Sequence, residues 1–491
     1  MIKYSDLPVI PMPKHVEPEG KWEKKTIGRG ISTTEESWKP AVEVFLGYAK
    51  RLYGLDFFEG KDIVLTRSAQ ELPKEGYRLD TRRETVLLET RDFAGANHAL
   101  ATLLQLLDSD GTLICTSVED APETSYRGVM VDLARKPHRL DEVLCYMDYC
   151  YLLKLNAIQL HFSDNEGYAL PSCRFPKLTS PERGFRVDEI AAMNDYAKAR
   201  GILIVPEVDL PGHCAAINGL YPECFANSAP VGESGVAELC GAAVNRDNVD
   251  DVLCVGRPGI FENIRALLGE VAELFPNSPF LHVGGDEVKY SIWENCPDCQ
   301  WYMRENGISG AKSLYTHVVK KITDLVLEMG RTPIVWEGFP EEGAEEISKK
   351  VIVIAWESYY QTADRLVAQG FQIINCSWQP LYIVPSLCWK AEDILAWNIY
   401  NWQHWYEASY AHLNPIHLQP TPLVLGAQLC AWEGTFEQEM RAAKENLAAL
   451  SERVWTIRRY CEDAQFRVKL ERILPLLDRI EKSRKCAEIR K

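Results

Sequence analysis

From about residue 125 onward, short apolar runs rich in β-branched residues alternate with longer segments in which apolar residues recur every three or four positions. This alternation predicts parallel strands joined by helices. Eight apolar runs can be counted: "RGVMVDL", "NAIQLHF", "GILIVPEV", "PFLHV", "TPIVW", "VIVIAW", "FQIINC" and "LVLGAQLCAW". Eight strands over about 330 residues favour a (β/α)8 TIM barrel, with an open doubly wound sheet as the alternative.

The pattern before residue 120 is different. "DIVLT" and "TVLLET" are typical of strands, whereas "AVEVFLGYAKRLYG" and "GANHALATLLQLL" have the apolar spacing of helices. The stretch "SVEDAPETSYRG" predicts a connection. We therefore predict a small N-terminal α/β domain at 1–122, a (β/α)8 barrel at 123–456 and a C-terminal helical segment at 457–491 that packs on the barrel.

Composition and charge narrow the classes of partner. The 491 residues are 46% hydrophobic and 25% charged, as in ordinary globular proteins. A net charge of −16 without any basic run argues against nucleic acid as a partner. The N-terminus "MIKYSDLPVI" lacks the features of a signal peptide, and no 18 consecutive residues are apolar, so we predict a cytoplasmic protein with no membrane partner.

The fifteen cysteines are scattered through apolar segments, which favours reduced thiols over a disulfide framework. Cys296 and Cys299 form a C-x-x-C that suits a redox pair or half of a zinc site. No second pair with zinc-finger spacing follows, and no Gly-rich phosphate loop follows a strand. The prediction is therefore a protein without metal or cofactor.

A barrel places its functional residues at the C-terminal ends of the strands. Most of the predicted strands end in acidic, basic or aromatic residues. In order, these are Asp132, Arg135, Asp164, Glu207, Asp209, His213, Asp286, Glu287, Trp336, Glu337, Trp356, Glu357, Tyr382, Trp432 and Glu433. Carboxylates and Arg bind sugar hydroxyls, and Trp stacks on the apolar faces of sugar rings, so the set predicts a neutral carbohydrate ligand.

Four motifs, "YRGVMVDLARKPHRLDEV", "KLNAIQLHFSDNEG", "LIVPEVDLPGH" and "FLHVGGDEV", follow one another in the barrel region, with "FAGANHALATLLQLL" before them. By these motifs the chain resembles glycoside hydrolase family 20, the β-N-acetylhexosaminidases, over nearly all of its length. The resemblance implies a retaining, exo-acting hydrolase that needs no cofactor. Its partner would be a small molecule or glycan with a terminal β-linked N-acetylglucosamine or N-acetylgalactosamine.

The resemblance also implies a mechanism. In this family the 2-acetamido oxygen of the substrate is the nucleophile, so the enzyme supplies no nucleophile of its own. By resemblance, Glu287 is the general acid/base and Asp286 holds the acetamido N–H as an oxazolinium forms. Because like charge raises a carboxyl pKa, we expect Asp286 to help keep Glu287 protonated at neutral pH.

The remaining roles carry over by motif. Arg135 matches the residue that holds the sugar hydroxyls, and Asp164 and His213 match residues that set the protonation of the acid. Arg127, at a strand start, is expected to be structural. The residues around the acetamido group and the outer hydroxyls are Trp336, Trp356, Trp432, Tyr382 and Glu433.

Two positions depart from the family pattern. Val384 stands where many members have Asp or Asn, which leaves the contact to O6 open. Glu433 directly follows Trp432, where the family's Glu often lies two positions after the tryptophan.

Two other functions stay open at this point. A metal-dependent barrel hydrolase would need a ligand cluster such as H-x-H, which the ten histidines do not form. A catalytically inactive carbohydrate-binding protein on the same scaffold is the other alternative. The aromatic-rich segment at 385–420 fits either a wall beyond the cleaved bond or ordinary packing.

Overall fold

The N-terminal unit is a mixed sheet with two helices. The computed structural model describes residues 7–17, 22–227, 236–239, 242–245, 251–459 and 462–488. The seven strands of this sheet are β1 (His15–Glu17), β2 (Gly30–Thr33), β3 (Phe58–Glu59), β4 (Ile63–Arg67), β5 (Tyr77–Asp80), β6 (Val86–Thr90) and β7 (Ser117–Asp120). Their spatial order is β1-β7-β5-β6-β4-β2-β3. A separate pair joins Lys24–Thr26 to Thr112–Ile114.

Both predicted helices of this unit are present, as α1 (Lys39–Tyr53) and α2 (Phe93–Leu106). Helix α2 begins at Asp92, whose carboxylate accepts a hydrogen bond from Gly95 N at 2.9 Å. It packs against the sheet on one side and the barrel on the other, so twelve of its fourteen residues are buried. The prediction of a connection from residue 117 was wrong for its first four residues, which form β7 because Val118 is buried there between outward-facing neighbours.

Eight parallel strands form the barrel, and all eight coincide with the predicted apolar runs. They are β8 (Tyr126–Asp132), β9 (Ala157–His161), β10 (Leu203–Glu207), β11 (Phe280–His282), β12 (Thr332–Trp336), β13 (Ile352–Ala355), β14 (Gln372–Asn375) and β15 (Val424–Ala431). Each strand pairs with the next in the chain, and β8 also pairs with β15. This last pairing closes the sheet, which decides for the barrel and against the open sheet.

The helices that pack around the barrel or at its side are α3 (Leu140–Leu152), α4 (Val187–Ala199), α5 (Ile260–Leu274), α6 (Ala311–Glu328), α7 (Ala363–Ala368), α8 (Ala391–Ala396), α9 (Phe436–Trp455) and α10 (Asp463–Glu488). Further helices lie in the connections at Ala215–Leu220, Pro222–Phe225, Tyr290–Asn295, Pro297–Glu305 and Trp378–Leu381. Short hairpins pair Val236–Leu239 with Ala242–Asn245, Tyr382–Val384 with Leu387–Cys388, Asn401–Trp402 with Ile416–His417, and Ser163–Asp164 with Gly167–Tyr168. Within the described ranges, none of the helices combines the length and apolar character needed to cross a bilayer.

A buried ion pair joins the two units. Arg127, fully buried at the start of β8, lies 2.5 Å from Glu75, which also pairs with His98 at 3.0 Å. The guanidinium also lies over the ring of Trp455, 5.2 Å from its centroid. These contacts agree with the structural role predicted for Arg127. Helix α10 packs against α1, α3 and α9 and so spans the same junction.

Candidate active site

A cavity of about 260 Å³ opens at the C-terminal mouth of the barrel. Its volume is just below the usual range for drug-sized ligands and suits a single sugar unit. Nine of the ten predicted site residues line it; the tenth, Asp164, contacts two of those nine. The complete lining is Arg135, His213, Asp286, Glu287, Trp336, Trp356, Trp378, Tyr382, Val384, Ser386, Trp432 and Glu433.

The glycine pair before the two acids produces a left-handed turn at the end of β11. Gly284 and Gly285 have φ values of 65° and 95°, which side chains rarely allow. A Cβ on Gly284 would lie 1.6 Å from Oδ1 of Asp209, so only glycine fits there. The turn continues through Glu287, whose φ is 50°. As a result the adjacent carboxylates differ in environment: Asp286 is buried, whereas the Glu287 side chain is 50% exposed.

His213 connects the exposed acid to a buried one. Its Nε2 lies 3.2 Å from Glu287 and 3.8 Å from Asp286, and its Nδ1 lies 3.4 Å from Asp164. Burial opposes protonation of the imidazole, but the contacts with Asp164 and Glu287 outweigh it and raise the pKa of His213 well above its usual value. Asp164 is also 2.9 Å from His161, and its pKa is held far below the usual range. His213 is therefore a cation between carboxylates.

The expectation that Asp286 helps to keep Glu287 protonated was wrong, because the pKa of Glu287 is lowered. The hydrogen bond from His213 lowers the pKa of Glu287, although burial opposes this. Burial, reinforced by the charge of Glu287, instead raises the pKa of Asp286 to about 6. The repulsion between the two acids therefore acts on the deeper one. These two directions place the proton shared by the pair on His213 rather than on Glu287.

Arg135 is held in place on two sides. Its guanidinium contacts Asp164 at 2.8 Å and Asp132 at 3.4 Å, and it stacks on Trp432 with 4.9 Å to the ring centroid. These carboxylates outweigh burial and raise the pKa of Arg135 above its already high value. A planar guanidinium fixed in this way presents its remaining N–H groups to the cavity for neighbouring hydroxyls.

Four aromatic side chains wall the inner part of the cavity. Trp336 and Trp356 meet edge to face with centroids 6.3 Å apart, and Tyr382 is stacked on Trp378 with centroids 4.4 Å apart. Tyr382 is adjacent to the end of β15, because its short strand pairs in parallel with that strand. Together with Trp432, which also lines the cavity, these rings form an apolar box.

Of three further residues at this wall, Trp378 was not singled out in the sequence, whereas Glu207 and Glu337 were named as strand-end residues but given no role. Trp378 lines the cavity four positions before Tyr382. Glu207, fully buried, accepts a hydrogen bond from Trp336 Nε1 at 2.6 Å, and burial is outweighed by His161 and His282, so its pKa is about 2. Glu337 accepts four backbone N–H bonds from residues 358–361 and fixes the loop after β13. A strand-end carboxylate that points inward was the available signal for both acids.

The outer rim of the cavity carries the two departures from the family pattern. Val384 lines the rim beside Ser386, so the polar group available on that side is a hydroxyl. Glu433 reaches the cavity because its φ is 61°, and its backbone N–H donates to Asp132 Oδ2 at 3.2 Å. Glu433 therefore lines the cavity despite its one-position shift.

A second, larger hollow of about 410 Å³ adjoins the first. Glu287 and His213 line both, so the acid stands on the partition between them. The second hollow is otherwise lined by Asn165, Asp251, Lys289, Glu357, Tyr359, Tyr360 and Tyr406. Within the segment at 385–420, Trp402 is packed in the core, whereas Tyr406 lines this hollow. Ordinary packing is thus present at Trp402, whereas a wall beyond the cleaved bond stays a prediction for Tyr406.

Among the described residues, three groups bring potential metal ligands within 4.8 Å of one another: His161, Glu207 and Asp209; Asp164, Asp209 and His213; and Cys254, Cys296 and Cys299. In the first two groups a histidine with a raised pKa already supplies the positive charge between the carboxylates. We assign no metal to the mouth of the barrel. The thiol group lies outside the cavity lining.

Comparisons with known proteins agree with this geometry. A family model described as "Glycosyl hydrolase family 20, catalytic domain" matches residues 125–458, and one described as "Glycosyl hydrolase family 20, domain 2" matches residues 6–121. A beta-hexosaminidase of Vibrio furnissii is 30% identical over 394 residues, which are 75% of this chain and 62% of that protein. A beta-hexosaminidase of Akkermansia muciniphila is 28% identical over 340 residues, 64% of this chain and 66% of that protein. The chain thus spans less than two thirds of the length of either relative.

The fold is shared with solved structures. A crystal structure of the GH20 exo beta-N-acetylglucosaminidase of Vibrio harveyi, in complex with N-acetylglucosamine, superposes with a TM-score of 0.79 at 24% identity, covering 98% of this chain and 78% of that one. The catalytic-domain model by itself matches more than half of the present sequence. The chain therefore belongs to glycosyl hydrolase family 20.

Proposed function

We propose that this protein is an exo-acting β-N-acetylhexosaminidase that removes a terminal N-acetylglucosamine or N-acetylgalactosamine with retention of configuration. The observation that carries the proposal is the position of Glu287 between the cavity of about 260 Å³ and the adjoining hollow of about 410 Å³. An acid on that partition reaches the oxygen that joins a sugar in the first cavity to a leaving group in the second. The small volume behind it favours one sugar and thus an exo mode of action.

The acetamido group has a matching environment. Asp286 Oδ1 is buried and accepts no hydrogen bond from the described residues, so it is free to accept one from the acetamido N–H. The box of Trp336, Trp356 and Tyr382 fits the acetamido methyl and directs its oxygen toward the anomeric carbon. Positioning an intramolecular nucleophile in this way contributes up to about 7 to 11 kcal/mol in favourable systems. The C1–O bond breaks as the acetamido oxygen attacks C1, and Glu287 protonates the departing oxygen.

Water then completes the reaction. After the leaving group has left the second hollow, water enters from that side and Glu287 accepts its proton. The water oxygen bonds to C1 as the bond from C1 to the acetamido oxygen breaks, which restores the acetamido group. The charge of Asp286 stabilises the cationic intermediate throughout. Two displacements at C1 give overall retention. Arg135 and Glu433 hold the hydroxyls of the sugar on the opposite side of the cavity.

A panel of 4-nitrophenyl β-glycosides tests the proposal. We expect turnover of the N-acetylglucosaminide or the N-acetylgalactosaminide, and a rate that falls steeply as fluorine replaces hydrogen in the acetyl group, because fluorine weakens the nucleophilic oxygen. The 4-nitrophenyl β-glucoside, which lacks an acetamido group, is the control and should not react. Folded protein that binds N-acetylglucosamine but hydrolyses neither substrate would instead support the sugar-binding alternative.

His213 gives a pH-dependent prediction. In the free protein the His213–Glu287 pair holds one proton, and the raised pKa of His213 keeps it there into the alkaline range. In His213→Asn the proton must stay on Glu287 alone, a carboxyl with a much lower pKa. The basic limb of kcat/KM should therefore move to lower pH, by at least about one unit.

The control for this shift is His317→Asn on helix α6, where the histidine contacts Tyr302 at 3.0 Å and lies outside both hollows. Its pH profile should match that of the parent protein. A lower rate in His213→Asn with an unmoved basic limb would limit His213 to a structural role.

A further inference from the structure

Three thiols from two different loops meet at one point below the barrel mouth. Cys254 Sγ lies 3.5 Å from Cys296 Sγ and 3.6 Å from Cys299 Sγ, and all three side chains are fully buried. Cys296 and Cys299 are the C-x-x-C pair of the sequence, whereas Cys254 is 42 residues upstream of the pair. The expectation of an isolated pair without metal did not include this third thiol.

We propose that Cys254, Cys296 and Cys299 bind a structural zinc ion as thiolates. Tetrahedral zinc with Zn–S bonds of about 2.3 Å places its sulfur ligands about 3.8 Å apart, close to the two distances observed. A disulfide would need a separation of about 2.05 Å and would leave one of the three thiols unpaired. Thiolates favour zinc among the common divalent ions, and binding releases the thiol protons to solvent.

The surrounding backbone brings the three thiols close together. Cys296 is the N-cap of the helix Pro297–Glu305, and Cys299 is its third residue, so both sulfurs lie at the positive end of a nine-residue helix. Gly256 lies so close to the same helix that a Cβ there would be 2.1 Å from the carbonyl oxygen of Asp298. Its backbone N–H also points toward Cys254 Sγ. Sulfur-directed N–H groups and a close backbone approach are features of a built site.

The position of the thiols links them to the proposed catalytic pair. Cys254 ends a segment in which Leu253 N donates to Pro211 O at 2.9 Å, two residues before His213. On the other side, Trp293 Nε1 donates to Leu253 O at 2.8 Å, and Trp293 lies between Glu287 and Cys296 in the chain. A zinc ion would therefore fasten the loop that carries His213 to the loop that carries Glu287. It would act on position and stability and take no part in the reaction.

Metal analysis of the untagged protein, purified under reducing conditions without chelator, tests the proposal. We expect about one zinc per chain, released when a mercurial reagent titrates the thiols. Reconstitution of the apoprotein with cobalt(II) should give a thiolate-to-cobalt charge-transfer band and the intense visible bands of tetrahedral coordination. The Cys254→Ser variant should lose the zinc and unfold at a lower temperature.

The matched control is Cys150→Ser in α3. Its thiol is equally buried but belongs to none of the three groups of potential metal ligands among the described residues. This variant should keep its zinc. The cobalt spectrum of the parent protein decides the question even if Cys254→Ser does not fold. A parent protein with no zinc and no tetrahedral cobalt spectrum, or one in which two of these cysteines form a disulfide as isolated, would overturn the proposal.

Discussion

Glu287→Gln is expected to slow hydrolysis by about 10²- to 10⁴-fold for substrates with poor leaving groups, such as a second sugar. The amide cannot donate an acidic proton to the glycosidic oxygen, although it preserves size and the contact with His213 at 3.2 Å in the parent protein. Aryl leaving groups of low pKa depart without protonation and should be affected much less. A plot of log kcat/KM against leaving-group pKa should therefore become steeper in the variant.

Glu357 provides the matched control, because it is a rival for the same role. It lines the second hollow, and burial together with the charge of Glu337 raises its pKa to about 8, so it carries a proton at neutral pH. However, it does not line the sugar cavity, which Glu287 does. Glu357→Gln should change affinity for the leaving group and leave the slope of the plot unchanged. A steeper slope in Glu357→Gln instead of Glu287→Gln would transfer the acid role to Glu357.

The barrel could be predicted from the sequence because each of its strands is an apolar β-branched run that is buried on both faces. A run of this kind predicts a buried strand by itself, and the residues at its C-terminal end are then expected at the mouth of the barrel. For this reason nine of the ten predicted residues line one cavity. The N-terminal strand Ser117–Asp120 is polar on one face and short, and its pattern was read as a connection.

Features that depend on loop conformation were beyond the sequence. Glu433 has a φ of 61°, and this backbone conformation could not be predicted from the residue type. Cys254 meets Cys296 only because two loops fold toward each other, and its approach depends on the lack of a side chain at Gly256. The directions of the pKa shifts of Asp286 and Glu287 could not be predicted from the sequence either. Their adjacency in the chain indicates that they repel each other, but it does not show that they are unequally buried or that His213 donates a hydrogen bond to Glu287.

Asp286→Asn is expected to lower kcat by about 10²- to 10³-fold and yet to make the free protein more stable at neutral pH. The loss of activity follows because a neutral amide does not stabilise the charge of the oxazolinium. The gain in stability follows from the pKa of Asp286, which is about 6 in the folded protein against 3.8 for a free side chain. As pH rises from 4, the unfolded chain ionises first, so folding stability declines, by about 3 kcal/mol in total once this carboxyl is ionised in both states.

Thermal unfolding at pH 4 and pH 7 measures how the ionisation of Asp286 changes folding stability. The parent protein and Asp286→Asn should unfold at similar temperatures at pH 4, where Asp286 is protonated, and the variant should be the more stable at pH 7. Asp195→Asn, which changes an exposed carboxylate on α4, is the control and should show no such divergence.

The acid limb of kcat/KM near pH 6 should also vanish in Asp286→Asn, because that limb reports the ionisation of this carboxyl. Equal destabilisation at both pH values would mean that Asp286 is a supporting residue of the fold. The expected divergence means that the site holds a charge at a cost to stability, and that the substrate's acetamido N–H is the partner which offsets that cost.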